Sequence, residues 1–405
     1  MSKVSDKIHE AIPQKRHCPI CGCKSSKLLF TQQFSEMSSG SLMKSYDVVV
    51  CADCRFAYAD NIPDQAAFDV YYRSMSKYEH QHRDGVESPY DLARFRSNAN
   101  TIKDLIPSPT SRILDIGCST GRLLSLVREF GFPNVMGLDP SPACAEAARR
   151  LYGIQVLTGA LAGLSVDERF DFLILVGVVE HIMDLTATIA KLKDILTPEG
   201  RVFIEAPDAT RFAGTPDAPF QQFSTEHINF FSAASLANLM RANGFVEVLS
   251  SHTTHEQSHG TFMPVVAGVY QRDDKTSVPL EPDANTEECL NEYIHQSRSV
   301  ENRLQQVIDD IADSGKPIIV WGVGTHTLRL LETSRLSEAK ICCFVDSNPR
   351  YQGKQIHGTP IVSPSELKQR SEPILISSRV FQREIEHQIR EDLGRSNELI
   401  TLYEI

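Results

Sequence analysis

Residues 113–124, ILDIGCSTGRLL, decide the fold of this chain. An apolar run of strand length is followed at once by a turn of small residues and then by an amphipathic stretch, which is the pattern of strand, tight turn and helix. Small residues in such a turn let a ligand approach the backbone and the N-terminus of the helix. The residues that would face this ligand are Asp115, Gly117, Ser119 and Gly121.

The next predicted strand, VMGLD, ends in Asp139. An acid at this point can accept hydrogen bonds from both hydroxyls of a ribose, and it stands roughly twenty residues after the turn, as in nucleotide-binding folds. The turn and the acid together predict a nucleotide-like ligand, and the combination is more specific than either feature alone.

Strands and helices alternate on both sides of this stretch. The predicted strands RILDIG, VMGLD, IQVLTG, FDFLILV and RVFIEAP are separated by predicted helices over residues 122–130, 143–151 and 186–196. Strands separated by helices pair in parallel, so we expect a doubly wound α/β sheet. A helix over residues 233–243 ends before Gly244 and the strand-like FVEVLSS, and the α/β domain is expected to close near residue 270.

A second α/β unit is predicted after a polar, Pro-containing linker over residues 271–285 and a long polar helix over residues 286–312. PIIVWGVGTHTLRLLE reads as strand, Gly-rich turn and helix, and Asp346 ends the next strand. GVGTHT lacks the third glycine of a dinucleotide fingerprint and is weak by itself. The predicted organisation is a small module over residues 1–60, a helical connector over 61–110, an α/β domain over 111–270, a linker and long helix over 271–313, and a Rossmann-like domain over 314–405.

Composition sets the broad class of the protein. The 405 residues, 41% hydrophobic and 23% charged, suffice for two or three globular domains. The 52 acidic and 41 basic side chains give a net charge of -11, which disfavours nucleic acid as a partner. The longest apolar runs are far shorter than the roughly 20 residues that cross a bilayer, and the N-terminus has no signal-peptide core. We expect a soluble, cytoplasmic protein without a membrane partner; the oligomeric state stays open.

Four of the ten cysteines form two CxxC pairs, CPIC at Cys18 and Cys21 and CADC at Cys51 and Cys54. Four thiolates at this spacing can bind a tetrahedral zinc ion, with the intervening segment forming a hairpin. A site with four protein ligands is closed and therefore structural. Cys23 is an alternative ligand. Unligated cysteines in a small core and a redox CxxC are the other interpretations, although neither pair follows a strand and opens a helix as a redox motif would.

An aromatic stretch, YYRSMSKYEHQHRD, follows the cysteine module. Its side chains Tyr71, Tyr72, Tyr78, His80 and His82 could line the mouth of a pocket, with Tyr78 as a cofactor contact. The alternative is that the cluster packs one helix against its neighbour.

Over residues 111–210 the chain resembles the class I S-adenosylmethionine-dependent methyltransferases. The resemblance rests on LDIGCSTG, GLDPS, LVGVVEHIMD and LTPEGRVFIEAP, which are similar to successive motifs of that family. A nicotinamide-dependent dehydrogenase fits less well, because VVEHIMD and LTPEG have no place in that fold. Ser119 stands where the family usually has glycine. The resemblance implies the methionyl group at Asp115, Gly117, Ser119 and Gly121, the ribose at Asp139, and further cofactor contacts at Pro140, Ala160 and Leu161.

A second resemblance spans almost the whole chain. The paired CxxC module, the methyltransferase core and the final unit with WGVGTHT and VDSNPRYQGKQIHGTPIVSP are together similar to nucleotide-sugar C-methyltransferases that act on keto-deoxysugars. That family carries a Tyr-His-Glu-His run, which matches Ser224, Thr225, Glu226 and His227 here, so the catalytic tyrosine and the first histidine are replaced. The resemblance implies a nucleotide-sugar substrate, held in part by the C-terminal domain; a purely structural lid is the alternative.

Methylation of carbon needs a base, because a weakly acidic proton beside a ketone must be removed. We expect a neutral imidazole at His227 to take this proton and Glu226 to orient it, while His181, at the end of the fourth strand, is a further catalytic candidate. The alternative is that Glu226 and His227 only cap the next helical region. An O- or N-methyltransferase is the first competing function, and a sugar-nucleotide oxidoreductase or a non-catalytic binding protein is the second.

Overall fold

The structure is a computed structural model that describes residues 15–37, 42–74, 87–165, 167–273 and 279–404. Tyr78, His80, His82 and the side chain of Tyr72 lie outside the described residues, so their expected roles are not tested.

The N-terminal module is a small antiparallel sheet. Strands β1 (Ser26–Gln33) and β2 (Ser45–Cys51) form the expected hairpin, and β3 (Ala57–Asp60) pairs with β2. A fourth strand, which the sequence did not predict, comes from far along the chain: β9 (Asn229–Phe230) pairs with β3. The module is therefore joined by main-chain hydrogen bonds to the segment that follows Glu226 and His227.

Two helices, α1 (Gln65–Ser74) and α2 (Pro89–Lys103), form the described part of the connector. α2 begins at a proline and is capped by Ser88, whose hydroxyl accepts the Asp91 N–H while the Asp91 side chain bonds back to the cap, a reciprocal arrangement that fixes the start of a helix.

The central domain contains a seven-stranded sheet in the order β10-β11-β8-β7-β4-β5-β6. Strands β4 to β8 are parallel, and the hairpin of β10 and β11 adds two antiparallel strands at one edge. The α/β methyltransferase-type fold is thus confirmed, with a mixed sheet. Its elements are β4 (Ile113–Ile116), α3 (Arg122–Glu129), β5 (Val135–Asp139), α4 (Pro142–Tyr152), β6 (Val156–Thr158), β7 (Phe170–Val176), α5 (Leu185–Ile195), β8 (Leu196–Pro207), α6 (Ala233–Ala242), β10 (Phe245–Ser258) and β11 (Thr261–Arg272).

Burial explains why these segments form strands. Leu114, Leu173 and Ile174 are fully buried, as expected for parallel strands covered by helices on both faces. The chain leaves β4 in one direction along the sheet to β5 and later returns on the other side to β7, so a crevice opens at the carboxyl ends of these three strands. Asp115 lies near the end of β4 and Asp139 at the end of β5, and the predicted glycine turn follows β4 directly.

The C-terminal part consists of α7 (Thr286–Ser314) and a six-stranded sheet in the order β14-β15-β13-β12-β16-β17. The predicted helix ends in the central domain and in α7 lie within two residues of those observed, whereas α9 was not predicted. The elements after α7 are β12 (Ile318–Trp321), α8 (Thr325–Thr333), β13 (Ile341–Val345), β14 (Gln355–Ile356), β15 (Thr359–Val362), β16 (Ile374–Ile376), α9 (Gln382–His387) and β17 (Leu399–Thr401).

The C-terminal domain packs against the N-terminal module. The Ser35 N–H donates to the Leu328 carbonyl, and Met37 forms a single β-bridge with Ile356. The buried guanidinium of Arg329 donates to Glu301 through two nitrogens, each at 3.0 Å. The first and last domains are therefore in direct contact. None of the helices in the described ranges is long and apolar enough to cross a membrane.

Candidate active site

The predicted cofactor turn has the backbone geometry that its sequence requires. Gly117, Ser119 and Gly121 have φ angles of +74°, +51° and +76°, in the left-handed region that favours glycine. The Gly117 N–H donates to the Leu138 carbonyl at 2.7 Å, which ties the turn to the end of β5. A Cβ on Gly117 would lie 2.6 Å from Cγ2 of Val178, so the turn packs directly against the loop that follows β7.

Asp139 is held at the carboxyl end of β5 by main-chain donors. Its Oδ2 accepts the Ser119 N–H and its Oδ1 accepts the Ser141 N–H, both at 2.9 Å. Burial raises the pKa of Asp139, and the two N–H bonds oppose this increase. The acid and the glycine turn thus form one unit, in which the carboxylate is rigidly placed at the mouth of the crevice.

Asp115, near the end of β4, is a buried acid whose charged neighbour is a second acid, Asp139. Burial raises the pKa of its carboxyl well above the ordinary range, and the negative charge of Asp139 raises it further. A positively charged ligand would relieve both effects. S-adenosylmethionine carries an ammonium and a sulfonium group, so the two acids fit the cofactor that the sequence resemblance implies.

The loop after β6 lies beside Asp139, since the Gly159 N–H donates to the Asp139 carbonyl at 3.0 Å. Ala160 is exposed and Leu161 half-buried, and Pro140 is exposed at the end of β5. The structure therefore brings these three predicted cofactor contacts to the same edge of the sheet as the glycine turn.

The three predicted catalytic residues lie on two neighbouring loops, together with a fourth residue, Glu180. Glu180 and His181 lie in a short 3₁₀ turn after β7, and Glu226 and His227 lie in the loop before β9. The two imidazole rings have centroids 5.0 Å apart at an angle of 75°. Nδ1 of His181 lies 3.0 Å from the Glu226 carbonyl, and Nε2 lies 3.8 Å from Oε1 of Glu180, which is buried.

Asn229 joins the two loops that carry these residues. Its Nδ2 donates to the Val179 carbonyl at 2.9 Å and to the Ile182 carbonyl at 2.6 Å. In addition, the Ile228 N–H donates to the Glu180 carbonyl at 2.9 Å. These bonds fix His181 and His227 relative to each other.

Arg16, from the N-terminal module, reinforces the same junction. Its guanidinium donates to the Met183 carbonyl at 3.0 Å and to the Ile228 carbonyl at 3.1 Å. Burial lowers the pKa of Arg16 to about 10. Sequence reasoning missed Arg16 because a single arginine before CPIC carries no pattern; only its three-dimensional contacts reveal its function.

Tyr71 is hydrogen-bonded to Glu226, and Tyr351 packs on the same hydrophobic cluster as Tyr71. Tyr71 of α1 donates its hydroxyl to Oε1 of Glu226 at 2.8 Å. Tyr351, in the loop after β13, packs on the same hydrophobic cluster; burial raises the pKa of its phenol, and the negative charges of Asp346 and Glu226 raise it further. Tyr71 was one of several aromatic candidates in the sequence, whereas Tyr351 was not singled out.

Ser224 has a local structural role. Its hydroxyl accepts the N–H groups of Glu226 at 3.3 Å and His227 at 3.1 Å, which closes the turn before β9. The Tyr46 hydroxyl donates to the Ser224 carbonyl at 3.0 Å. The residue at this position therefore shapes the loop and presents no phenol to the crevice.

The four cysteines of the CxxC pairs form a compact cluster. Their sulfur atoms lie within 4.8 Å of one another, and the Sγ pairs Cys18–Cys54 and Cys21–Cys51 are each 3.5 Å apart. Zinc–sulfur bonds of about 2.3 Å in a tetrahedron separate the sulfurs by roughly 3.8 Å, so the cluster fits zinc with little movement. Cys23 is outside the group, and its thiol lies 3.5 Å from the Ser25 carbonyl.

Comparisons with known proteins agree with this geometry. Residues 90–250 match the family described as "Methyltransferase domain", and residues 314–401 match the family described as "C2185-like, N-terminal". The chain is 24% identical over 346 residues to the C-methyltransferase NovU of Streptomyces niveus, covering 81% of this chain and 79% of that protein.

Two further similarities cover shorter parts. A ubiquinone biosynthesis O-methyltransferase of Chelativorans sp. (strain BNC1) is 33% identical over 106 residues, which are 23% of this chain and 39% of that protein. The solved structure of 1,6-didemethyltoxoflavin-N1-methyltransferase from Burkholderia thailandensis superposes with a TM-score of 0.42 and 21% identity, covering 55% of this chain and 98% of that one.

The protein is an enzyme, a class I S-adenosylmethionine-dependent methyltransferase. Within that class it is related to the C-methyltransferases, and this relationship extends beyond the methyltransferase domain to most of the chain.

Proposed function

We propose that the enzyme methylates a carbon atom next to the ketone of a nucleotide-linked keto-deoxysugar. The observation that carries this proposal is the meeting of the His181 and His227 imidazoles with the Glu180 carboxylate, on the loop that packs against the cofactor turn. Val178 links the two parts of the site, since it contacts Gly117 and is followed two residues later by Glu180. A base and a methyl donor are thereby neighbours, as carbon methylation requires.

In the proposed reaction His227 removes the proton from the carbon beside the ketone, and the electron pair of that C–H bond becomes an enolate. The nucleophilic carbon then forms the new C–C bond. When bound, S-adenosylmethionine supplies the electrophilic methyl group, whose bond to sulfur breaks as its electron pair returns to sulfur. The tasks of the chain are to hold the acceptor, to accept the proton on an imidazole nitrogen and to exclude water.

Glu226 and His181 support this step in different ways. Tyr71 holds the Glu226 carboxylate through a hydrogen bond of 2.8 Å, and the Glu226 carbonyl lies 3.0 Å from Nδ1 of His181. Glu226 directly precedes His227 in the sequence, and we propose that its carboxylate balances the positive charge that forms on His227. His181, on the neighbouring loop, is the further catalytic candidate. The cofactor would be held by Asp115, Asp139 and the glycine turn, with Pro140, Ala160 and Leu161 near its adenine.

The C-terminal domain is proposed to hold part of the nucleotide-sugar. This proposal is supported by Tyr351, which packs on the same hydrophobic cluster as Tyr71, the residue whose hydroxyl donates to Glu226. The similarity to NovU, which covers 81% of this chain, supports a shared domain plan.

The cysteine cluster is proposed to bind a structural zinc ion. Four thiolates and no open position leave no room for a substrate, and the same module carries Arg16 to the junction of the catalytic loops. Free thiols suit a reducing compartment, so we place the enzyme in the cytoplasm.

O-methylation is the second candidate function. Ser224 at the position of the family's tyrosine favours it, because hydroxyl methylation also needs only one base. Solvent deuterium exchange separates the two functions. A C-methyltransferase should exchange the proton beside the ketone of its nucleotide-keto-sugar when the methyl donor is absent, whereas an O-methyltransferase should not.

The decisive experiment combines this exchange with labelled methyl transfer to a panel of nucleotide-keto-sugars, the position of the label being read by NMR. His227→Ala should reduce both rates by about 10² to 10⁴ while the affinity for S-adenosylmethionine stays within about twofold of wild type. His295→Ala, an exposed histidine on α7, is the matched control and should change neither. Methyl transfer to oxygen, or full activity of His227→Ala, would reject the proposal.

A further inference from the structure

Glu180, His181 and His227 converge on one point inside the crevice. One ligand-type atom of each residue lies within 4.8 Å of those of the other two. Nε2 of His181 is 3.8 Å from Oε1 of Glu180, which is too long for a direct hydrogen bond. Atoms bound to one divalent ion at about 2.0–2.2 Å lie roughly 3 to 3.5 Å apart, so a movement of about 1 Å would complete the geometry.

The orientation of His181 is a second, independent observation. Its Nδ1 lies 3.0 Å from the Glu226 main-chain carbonyl. A carbonyl only accepts hydrogen bonds, so Nδ1 carries the ring proton and Nε2 presents a lone pair toward Glu180. Histidines that bind metal are held in this way, with the other ring nitrogen donating to a carbonyl or carboxylate.

The main chain holds the three residues together before any ion binds. The Ile228 N–H donates to the Glu180 carbonyl at 2.9 Å, and Asn229 bridges the carbonyls of Val179 and Ile182. Glu180 is only 3% exposed. The buried carboxylate and the two half-buried imidazoles are all groups that bind divalent metal ions. Because the main chain already fixes them, binding an ion would cost little conformational entropy.

We propose that Glu180, His181 and His227 bind a divalent first-row transition-metal ion, and that this ion inhibits methyl transfer. Two imidazoles and one carboxylate on one side of an ion form a recurrent site for such metals and leave open positions for water. The ligands are distinct from the thiolate cluster, which holds four sulfur atoms and belongs to another domain.

The prediction that the bound ion inhibits methyl transfer rests on the proposed function, in which His227 is the base. A metal ion binds the lone pair of an imidazole, and the same lone pair must accept the proton if His227 is the base. The two uses exclude each other, so the occupied enzyme cannot begin carbon methylation. The cation site itself does not depend on the identity of the substrate.

Titration with cobalt(II) alone tests the site in the full-length protein. Metal analysis of the protein as isolated, after removal of loosely bound ions, should give about one zinc per chain at the cysteine cluster. Added cobalt(II) should then give a visible absorption spectrum of nitrogen and oxygen ligation, without the intense charge-transfer bands of cobalt–thiolate bonds. Glu180→Gln, which keeps the side-chain shape, should weaken cobalt(II) binding at least tenfold, whereas His295→Ala should leave it unchanged.

Methyl transfer should fall with the same midpoint as cobalt(II) binding and recover when the ion is chelated. Absence of binding up to millimolar cobalt(II), or equal binding by wild type and Glu180→Gln, would overturn the site. Stimulation of methyl transfer by cobalt(II) would overturn the inhibitory role. Failure of the exchange assay described above would instead concern the proposed reaction and would leave the spectroscopic result unaffected.

Discussion

The central and C-terminal sheets each contain a strand with an aspartate at its carboxyl end. In both domains the carboxylate of this aspartate accepts a main-chain N–H from a glycine turn. Asp139 accepts the N–H groups of Ser119 and Ser141, both at 2.9 Å. In the C-terminal sheet, Asp346 accepts those of Val323 at 3.1 Å and Asn348 at 2.8 Å. The same bond pattern in two domains indicates that an acid bonded to a glycine turn is a property of this type of fold and does not by itself define a cofactor site.

The two turns differ in the residues around this shared bond. Asp115, two residues before Gly117, has Val320 as its counterpart before Gly322. Helix α3 begins five residues after Gly117, whereas α8 begins three residues after Gly322, so the C-terminal turn is shorter. The second acid and the longer turn are therefore the features that suit the central domain to a charged cofactor.

The largest effect is expected from replacing the aspartate that is bonded to the glycine turn in each domain. If only the central turn binds the cofactor, only the change at Asp139 should weaken cofactor binding. Asp139→Ala removes the proposed acceptor for the ribose hydroxyls and should weaken S-adenosylmethionine binding by about 1.5 to 3 kcal/mol, or roughly 10- to 150-fold. Asp346→Ala breaks the equivalent main-chain bonds and should leave this affinity within about twofold of wild type. Calorimetric titration measures both affinities.

Both variants lose two main-chain hydrogen bonds, so thermal melting provides the control for folding. Similar losses of stability with different affinities would support the comparison. If Asp346→Ala weakened the cofactor as much as Asp139→Ala, the two turns could not be assigned different functions.

The second acid of the central turn should make stability depend on pH. The pKa of Asp115 is raised in the folded protein, first by burial and then by Asp139, so the folded state binds more protons than the unfolded chain above the ordinary pKa near 4. The stability that this carboxyl contributes is complete below that pH and is lost as the pH rises through the folded value. Asp115→Asn should therefore be more stable than wild type at neutral pH, by on the order of 1 kcal/mol.

Melting temperatures of both proteins between pH 4 and 8, without cofactor, check this sign: the difference should shrink toward pH 4. Saturating S-adenosylmethionine should reverse the order of stability, because the ionised Asp115 gains a positive partner that asparagine cannot replace. A variant that was less stable than wild type at every pH would mean that Asp115 is stabilised within the turn itself.

Much of this fold could be predicted from local patterns in the sequence. The glycine turn, Asp139 and the alternation of strands and helices could be predicted because each depends on neighbours within a few residues. The two CxxC pairs likewise indicated a compact cysteine cluster, and the four sulfurs lie together.

The junction of the two loops that carry His181 and His227 could not be predicted in this way. Arg16 contacts the carbonyl of a residue 212 positions away, and Ala57 of β3 pairs with Phe230 of β9. Such contacts leave no periodic signal in either segment. Glu226 and His227 were singled out through a resemblance, but their proximity to His181 and to Tyr71 appears only when distant elements pack together.

The smallest expected effect concerns Ser119, which occupies the left-handed region with a φ of +51°. A non-glycine residue there costs roughly 1 kcal/mol, so Ser119→Gly removes strain from the folded turn. Glycine also gives the unfolded chain more freedom, which costs about 0.4 to 1 kcal/mol of stability.

These two opposing effects nearly cancel, and Ser119→Gly should change the free energy of unfolding by less than about 0.5 kcal/mol, a shift in melting temperature of roughly 2 °C or less. Gly324→Ser in the C-terminal turn is the matched exchange, because Gly324 has an ordinary φ of -71° and precedes α8 as its N-cap. A serine at an N-cap accepts a main-chain N–H, so this variant should be equally stable or slightly more stable. Denaturant unfolding of both variants gives the comparison. A loss above about 1 kcal/mol in Ser119→Gly would indicate that the serine side chain itself stabilises the turn, and would make Ser119 a specific feature of this enzyme and not a tolerated substitute for glycine.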